Sequence, residues 1–178
     1  MKLCLHLCCG LCGAYCVPQL QQKKIDLVTY FHRDNIHPYQ ECLRREEGAK
    51  TLSYIDQFPL IIQEGYDLEG FLQDMAFHEE ERCARCYERR LLATAQVAQQ
   101  ENCTAFTTTL LYSKYQNHNL IRSIGESIAR ETGVDFYYED FRLGWKEGIE
   151  RSKQLGLYRQ PYCGCIYSEK ERYFKIKK

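Results

Sequence analysis

Lys2–Gly13 reads KLCLHLCCGLCG, and this stretch decides the fold. Leu3, Leu5 and Leu7 alternate, the period of a short strand. The strand runs straight into Cys8-Cys9-Gly10-Leu11-Cys12-Gly13, which reads as a loop with two glycines. A short helix over Ala14–Lys23 is expected to follow.

Working outward, Ile25–Phe31 (IDLVTYF) is β-branched and aromatic and reads as a second strand. Pro38 suits the first turn of a helix reaching Asp56, and Pro59 ends that segment ahead of a short third strand at Leu60–Gln63. Helices are expected over Asp67–Ala76 and Arg82–Glu101, the latter with Leu91, Leu92, Ala95 and Ala98 on one face. Thr104–Leu110 (TAFTTTL) reads as a fourth strand and Val134–Tyr138 as a fifth. Between them lies a helix over Asn117–Glu131, with Gly133 at its C-terminal cap. Helices near Lys146–Leu155 and Cys165–Lys175 complete the pattern. Alternation of this kind predicts a single α/β domain over residues 1–178, a three-layer, doubly wound parallel sheet. Ligands in such sheets bind beyond the carboxyl ends of the strands. The CCGLC segment occupies that place after the first strand.

Bulk properties exclude several classes. Lysine plus arginine and aspartate plus glutamate both number 24, so the chain does not grip nucleic acid by net charge alone. Charge is nevertheless uneven: residues 34–81 hold twelve acids and three bases, whereas residues 82–178 hold seventeen bases and eleven acids. A basic face for a polyanion and scattered solvated charge both fit this split. The N-terminus shows no signal-peptide pattern and the chain has no apolar run long enough for a membrane, so no membrane association is expected. Eleven cysteines without an export signal point to the cytoplasm, where clustered thiols bind metals or do redox chemistry.

Seven of those cysteines fall in three groups: Cys8, Cys9 and Cys12; Cys83 and Cys86; Cys163 and Cys165. The C-x-x-C spacing in the first two lets both thiolates converge on one metal or cluster. Cys83 and Cys86 open a helix, where the dipole and free N–H groups stabilise thiolates, and Cys12 and Cys165 are placed similarly. A structural zinc site made by Cys9, Cys12, Cys83 and Cys86 is a competing reading. Cys4, Cys16, Cys42 and Cys103 are isolated and read as buried and inert.

The segments HLCCGLCGAY, ERCARCYERRL, FTTTL and GLYRQPYCGCIYS together resemble the signature blocks of the QueH-type, cobalamin-independent epoxyqueuosine reductases, in order and with similar spacing from His6 to Ser168. The resemblance implies a fold similar to that of tRNA thiolation enzymes, and a [4Fe–4S] cluster with a second metal ion, iron, nearby. It implies an oxidoreductase that converts epoxyqueuosine to queuosine at the wobble position of tRNA, fed by an external electron donor. Residues 141–148, FRLGWKEG, depart from the more basic, glycine-paired segment expected of the family.

On that resemblance, Cys8, Cys9, Cys83 and Cys86 are expected to supply most ligands to the metallocofactor. Cys12, Cys163 and Cys165 would complete the second metal or form a redox pair or disulfide. Asp34 and Tyr162 are candidate catalytic residues, although Asp34 also suits a plain turn before Asn35. Arg82, Arg85, Arg89 and Arg90, with Arg142, Arg159 and Lys170, are candidates for tRNA phosphate contacts. No histidine sits in a ligand-like pair, and His6 is expected to support Cys8 at most. Two alternatives remain: another tRNA-modifying enzyme of the fold group, such as a sulfur-transfer enzyme, and a zinc-stabilised RNA-binding module. The first would want a Ser/Gly-rich pyrophosphate loop where CCGLCG stands.

Overall fold

The computed structural model describes residues 1–174. Five parallel strands form one sheet: β1 (Lys2–His6), β2 (Asp26–Phe31), β3 (Leu60–Ile62), β4 (Ala105–Thr108) and β5 (Asp135–Phe136), in the order β3-β2-β1-β4-β5. The helices are α1 (Gly10–Gln22), α2 (Tyr39–Asp56), α3 (Leu68–Met75), α4 (Arg82–Gln100), α5 (His118–Thr132), α6 (Trp145–Gln154) and α7 (Ile166–Tyr173). Short 3-10 turns occupy Thr109–Tyr112 and Phe141–Gly144. Helices α1, α2 and α6 pack together, as do α4 and α5, giving the expected three-layer α/β arrangement. The strand order reverses between β1 and β4, so the crevice beyond their carboxyl ends is the switch point where such sheets take ligands. The last helix ends at Tyr173. Lys175, the expected end of that helix, lies outside the described residues.

Leu3, Cys4, Leu5 and His6 are all fully buried. A central parallel strand is covered on both faces, and β1 pairs with β2 on one side and β4 on the other. One reading of the opening segment is corrected: the CCGLCG segment, expected as a loop, is helical from Gly10 onward. Helix α1 begins at Gly10 rather than Ala14 because Cys9 is its N-cap, with its Sγ accepting from Cys12 N at 3.3 Å. Gly10 is required there: a Cβ would lie 2.3 Å from the Gly48 carbonyl oxygen on α2. Pro18 sits inside α1 and has no N–H for the Ala14 carbonyl. Arg151 supplies the missing donor, its Nη1 reaching Ala14 O at 2.8 Å while its fork holds Asp56.

Candidate metal centre and active site

Cys8 leaves the end of β1 at the switch point. Its N–H donates to Thr109 Oγ1 at 3.0 Å, and that hydroxyl lies 3.2 Å from Cys8 Sγ and 3.1 Å from His6 O. The 3-10 turn after β4 therefore clamps the first cysteine. The Sγ atoms of Cys8, Cys9 and Cys12 all lie within 4.8 Å of one another, and all three residues are buried. Cys8 Sγ and Cys9 Sγ are 3.8 Å apart. Thiolates about 2.3 Å from one tetrahedral metal lie about 3.8 Å from each other, so the spacing suits a shared ion. Hydrogen bonds from the Cys12 and Cys9 thiols pull Cys8 well below the ordinary thiol range, while burial pushes Cys9 up to about 12.

The other two groups meet beside this trio. Cys86 Sγ accepts from Asn35 Nδ2 at 3.0 Å, and Cys163 Sγ from Gln116 Nε2 at 3.4 Å. Cys163 feels Cys86 and Cys165, and Cys83 feels Cys86 and Cys165; Cys83 and Cys163 are both solvent-exposed. Cys8, Cys12 and Cys163 line one cavity of about 840 Å³, within the usual range for small-ligand sites. Three sequence-distant groups are therefore gathered at one end of the sheet. Cys12 lies with Cys8 and Cys9, the group in which the sequence places it. All eleven cysteines are free thiols, so the disulfide expected at the third group is not formed.

The surroundings test whether a thiolate-bound metal fits. Arg45 and Arg90 are both buried, with exposures of 1% and 2%. Arg45 is balanced by Glu41 at 2.8 Å. Arg90 has no carboxylate partner among the described residues. It donates to Asn35 O at 3.1 Å, approaches His6 Nε2 at 3.4 Å, and its Nε has no partner. The charges nearest it are the thiols of Cys86, Cys163 and Cys8. A buried guanidinium without an anion is costly, and an anionic thiolate–metal group is what this position calls for. Soft thiolates gathered around it suit iron–sulfur or zinc. The residues present fit such a group.

Arg90 is thus corrected from a surface phosphate ligand to an inward-facing charge. The other arginines of α4 are ion-paired: Arg82 with Glu171, Arg85 with Asp74 at 2.9 Å, and Arg89 with Asp74 at 3.6 Å and Asp34 at 3.9 Å. Arg142 is held by Asp140 at 2.6 Å, whereas Arg159 is exposed and lines the cavity without an ion pair among the described residues. Lys170 is exposed on α7. Asp34 is buried and accepts from Gln63 Nε2 at 2.7 Å and Asp67 N at 2.8 Å, tying the end of β2 to the start of α3; its partners include no thiol. Tyr162 lines the cavity, donates its hydroxyl to His37 O, and burial pushes it up to about 12.

Several contacts went unread in the sequence. Gln160 Nε2 donates to Cys9 Sγ at 2.9 Å, alongside the donors Gln116, Asn35 and Thr109. Gln160 and Thr109 both fall inside the signature blocks, GLYRQPYCGCIYS and FTTTL, which was the available signal. Polar residues that hydrogen-bond to sulfur carry no motif of their own.

The family model described as Epoxyqueuosine reductase QueH matches residues 3–171. The chain is 36% identical over 174 aligned positions to an epoxyqueuosine reductase QueH of Dehalococcoides mccartyi, covering 98% of this chain and 96% of that protein. A protein of the same name from Thermotoga maritima is 33% identical, with 94% and 90% covered. Another from Histophilus somni is 32% identical, with 94% and 72% covered.

Proposed function

The chain belongs to the epoxyqueuosine reductase QueH family, and from that premise we propose how its residues carry out the reduction on tRNA bearing epoxyqueuosine. Removing the epoxide oxygen breaks two C–O bonds, takes up two electrons and two protons, and gives an alkene and water. No side chain supplies low-potential electrons, so a redox group is required. A [4Fe–4S] cluster, when bound, supplies single electrons drawn from an external donor, and a second metal ion, iron, supplies Lewis acidity toward the epoxide oxygen.

The chain's own residues hold and surround these groups. Cys8, Cys9, Cys83 and Cys86 supply most of the ligands; Cys12, Cys163 and Cys165 complete the second site or act as a dithiol. Gln160, Asn35 and Gln116 donate hydrogen bonds to the sulfurs of Cys9, Cys86 and Cys163. Arg90 and Arg45 place positive charge beside the thiolates. Of the two proton-donor candidates Tyr162 alone lines the cavity, but its hydroxyl is donated to His37 O and would have to release that carbonyl to pass its proton on; both carboxylate oxygens of Asp34 are engaged away from the thiols. A tRNA substrate places the protein in the cytoplasm.

The observation that carries this reading is the uncompensated Arg90 charge among three sequence-distant cysteine groups. The test is anaerobic reconstitution with iron and sulfide, metal analysis, and an assay on tRNA bearing the epoxide. The loaded protein is expected to be brown, absorbing near ~400 nm, and to form queuosine. Cys8→Ala and Cys86→Ala are each expected to abolish cluster assembly. A colourless protein with stoichiometric zinc and no turnover would replace this reading with the RNA-binding module.

A further inference from the structure

Part of the cavity wall is aromatic, built by Trp145 of the FRLGWKEG segment and by Tyr115 from the loop after the Thr109–Tyr112 turn. Trp145, the chain's one tryptophan, opens α6 and lines the cavity. Its ring stacks on the buried Tyr112, centroids 5.1 Å apart at 24°, and Tyr112 stacks on Tyr15 at 6.0 Å and 30°. Tyr112 also donates its hydroxyl to Trp145 O at 2.9 Å. Two glycines make this close approach possible. A Cβ at Gly144 would lie 1.9 Å from the Tyr15 ring, and one at Gly148 would lie 2.4 Å from the Tyr112 hydroxyl. The tryptophan is thus a backed, fixed surface.

Tyr115 meets Trp145 edge-on at 6.1 Å and also lines the cavity, yet it is 84% exposed. A ring left that open contributes little to the fold. Beside it, Lys114 Nζ lies 4.9 Å from the Trp145 ring centroid. Lys114, Arg159 and Arg172 carry no ion pair among the described residues, in contrast to Arg82, Arg85 and Arg89 on α4. Cations without a carboxylate partner beside an exposed ring are the chemistry of single-stranded nucleic-acid recognition, and a base stacking on Trp145 would take the place of Lys114 over that ring: rings take the base face and cations take the phosphates.

We propose that Tyr115 and Trp145 form the stacking seat for the splayed wobble base, with Lys114 and Arg159 meeting the flanking phosphates. This rests on the tRNA reading above. It moves the nucleic-acid contact from the ion-paired arginines of α4 to the aromatic rim. The base is held at the rim while its epoxide-bearing arm reaches inward toward Cys8 and Cys163, which share the cavity.

The single tryptophan makes the seat observable. The loaded enzyme is titrated with an anticodon stem–loop RNA carrying epoxyqueuosine, and emission is excited where tyrosine does not absorb. Saturable quenching of Trp145 is expected. Tyr115→Ala, which removes a side chain the fold does not use, is expected to keep iron and sulfide content and kcat while raising KM roughly tenfold, the effect of losing one base–aromatic stack. Trp145→Phe, which keeps a ring on Tyr112, is expected to raise KM less. An unmoved KM in Tyr115→Ala, or emission unchanged by saturating RNA, overturns the seat. Quenching without turnover by the wild-type enzyme would retain the seat and reject the reductase reading; turnover without quenching would do the reverse.

Discussion

Cys8, Cys9 and Cys12 are held by secondary structure; Cys163 and Cys165 are held by side chains. The first group is fixed by the β1 ladder, the N-cap of α1 and the Gly10–Gly48 contact. The second lies on irregular backbone pinned from outside. Arg45 donates to Cys163 O at 2.6 Å and Tyr162 O at 3.0 Å. His37 N donates to Gly164 O at 2.8 Å, and Ile166 N donates to His37 Nδ1 at 3.2 Å. Donors fixed by a ladder form as the sheet forms and cannot move without unfolding it. Donors hung on side chains can open locally at small cost. The two ends of the proposed metal site are therefore unequal in rigidity.

Each region contains one glycine that tests this contrast most directly. Gly10→Ala sets a Cβ 2.3 Å from a backbone oxygen, a clash relieved only by separating α1 from α2. It is expected to cost more than the ~1–3 kcal/mol usual for overpacking and to leave little soluble, metal-loaded protein. Gly164→Ala sets its Cβ 3.2 Å from Asn35 O and 3.4 Å from Arg45 Nη1, contacts that a loop can relax. Below about 1 kcal/mol is expected, with iron content retained. Thermal unfolding and metal analysis of both variants read the difference. Equal losses would erase the distinction between the regions.

Arg90 sits between the two groups and gives a smaller effect whose sign depends on loading. In the metal-free chain its charge is buried without a carboxylate, so Arg90→Met is expected to be neutral or stabilising, by about 1 kcal/mol. In the loaded protein the same change removes the charge facing the thiolates, so iron should be lost faster to a chelator. Destabilisation of both forms by the same amount would mean that Arg90 is merely a packing residue.

The legible and illegible parts divide along similar lines. Strand and helix periods, Pro59 and the Gly133 cap are local signals, and the α/β sheet follows from them. The expected boundaries of α5 and α6 lie within a residue of those observed. The start of α1 was misplaced because cysteine is an uncommon cap. The thiol groups were legible as motifs, but their pairing was not. Cys12 joins Cys8 and Cys9 through the helix turn, and nothing in the string indicates which thiols of the other groups approach them. The arginines misled most. From sequence Arg82, Arg85, Arg89 and Arg90 are one basic run, yet helical spacing turns Arg90 inward, sets Arg85 and Arg89 against acids from the 34–81 segment and leaves Arg82 paired with Glu171.

His37 gives the gentlest test, because its effect is nil at neutral pH. It is 2% exposed, and burial lowers it to about 4 from its ordinary 6.5, with Arg90 adding to the depression while Asp34 opposes it. Its tautomer is set by its neighbours. Ile166 N–H donates to Nδ1, so the ring proton is on Nε2 and is donated to Asp34 O at 2.8 Å. A second proton would have to go on Nδ1, against an N–H, and would release the start of α7. Between the two values the unfolded chain binds a proton that the native chain does not. Stability therefore falls as pH drops from about 6.5 toward 4, by about 1.4 kcal/mol per pH unit once well below 6.5, and is fully present above it. Other buried histidines add to the slope, so the readout is the difference between the wild type and His37→Gln, which cannot titrate. The side-chain-held region should respond first: the Ile166 amide, donated to His37 Nδ1, is expected to exchange faster on acidification relative to its intrinsic rate, while the Leu7 amide, donated to Tyr30 O beside β1, does not. If the two amides respond in parallel, opening is global and the segment carrying Cys163 has no looseness of its own.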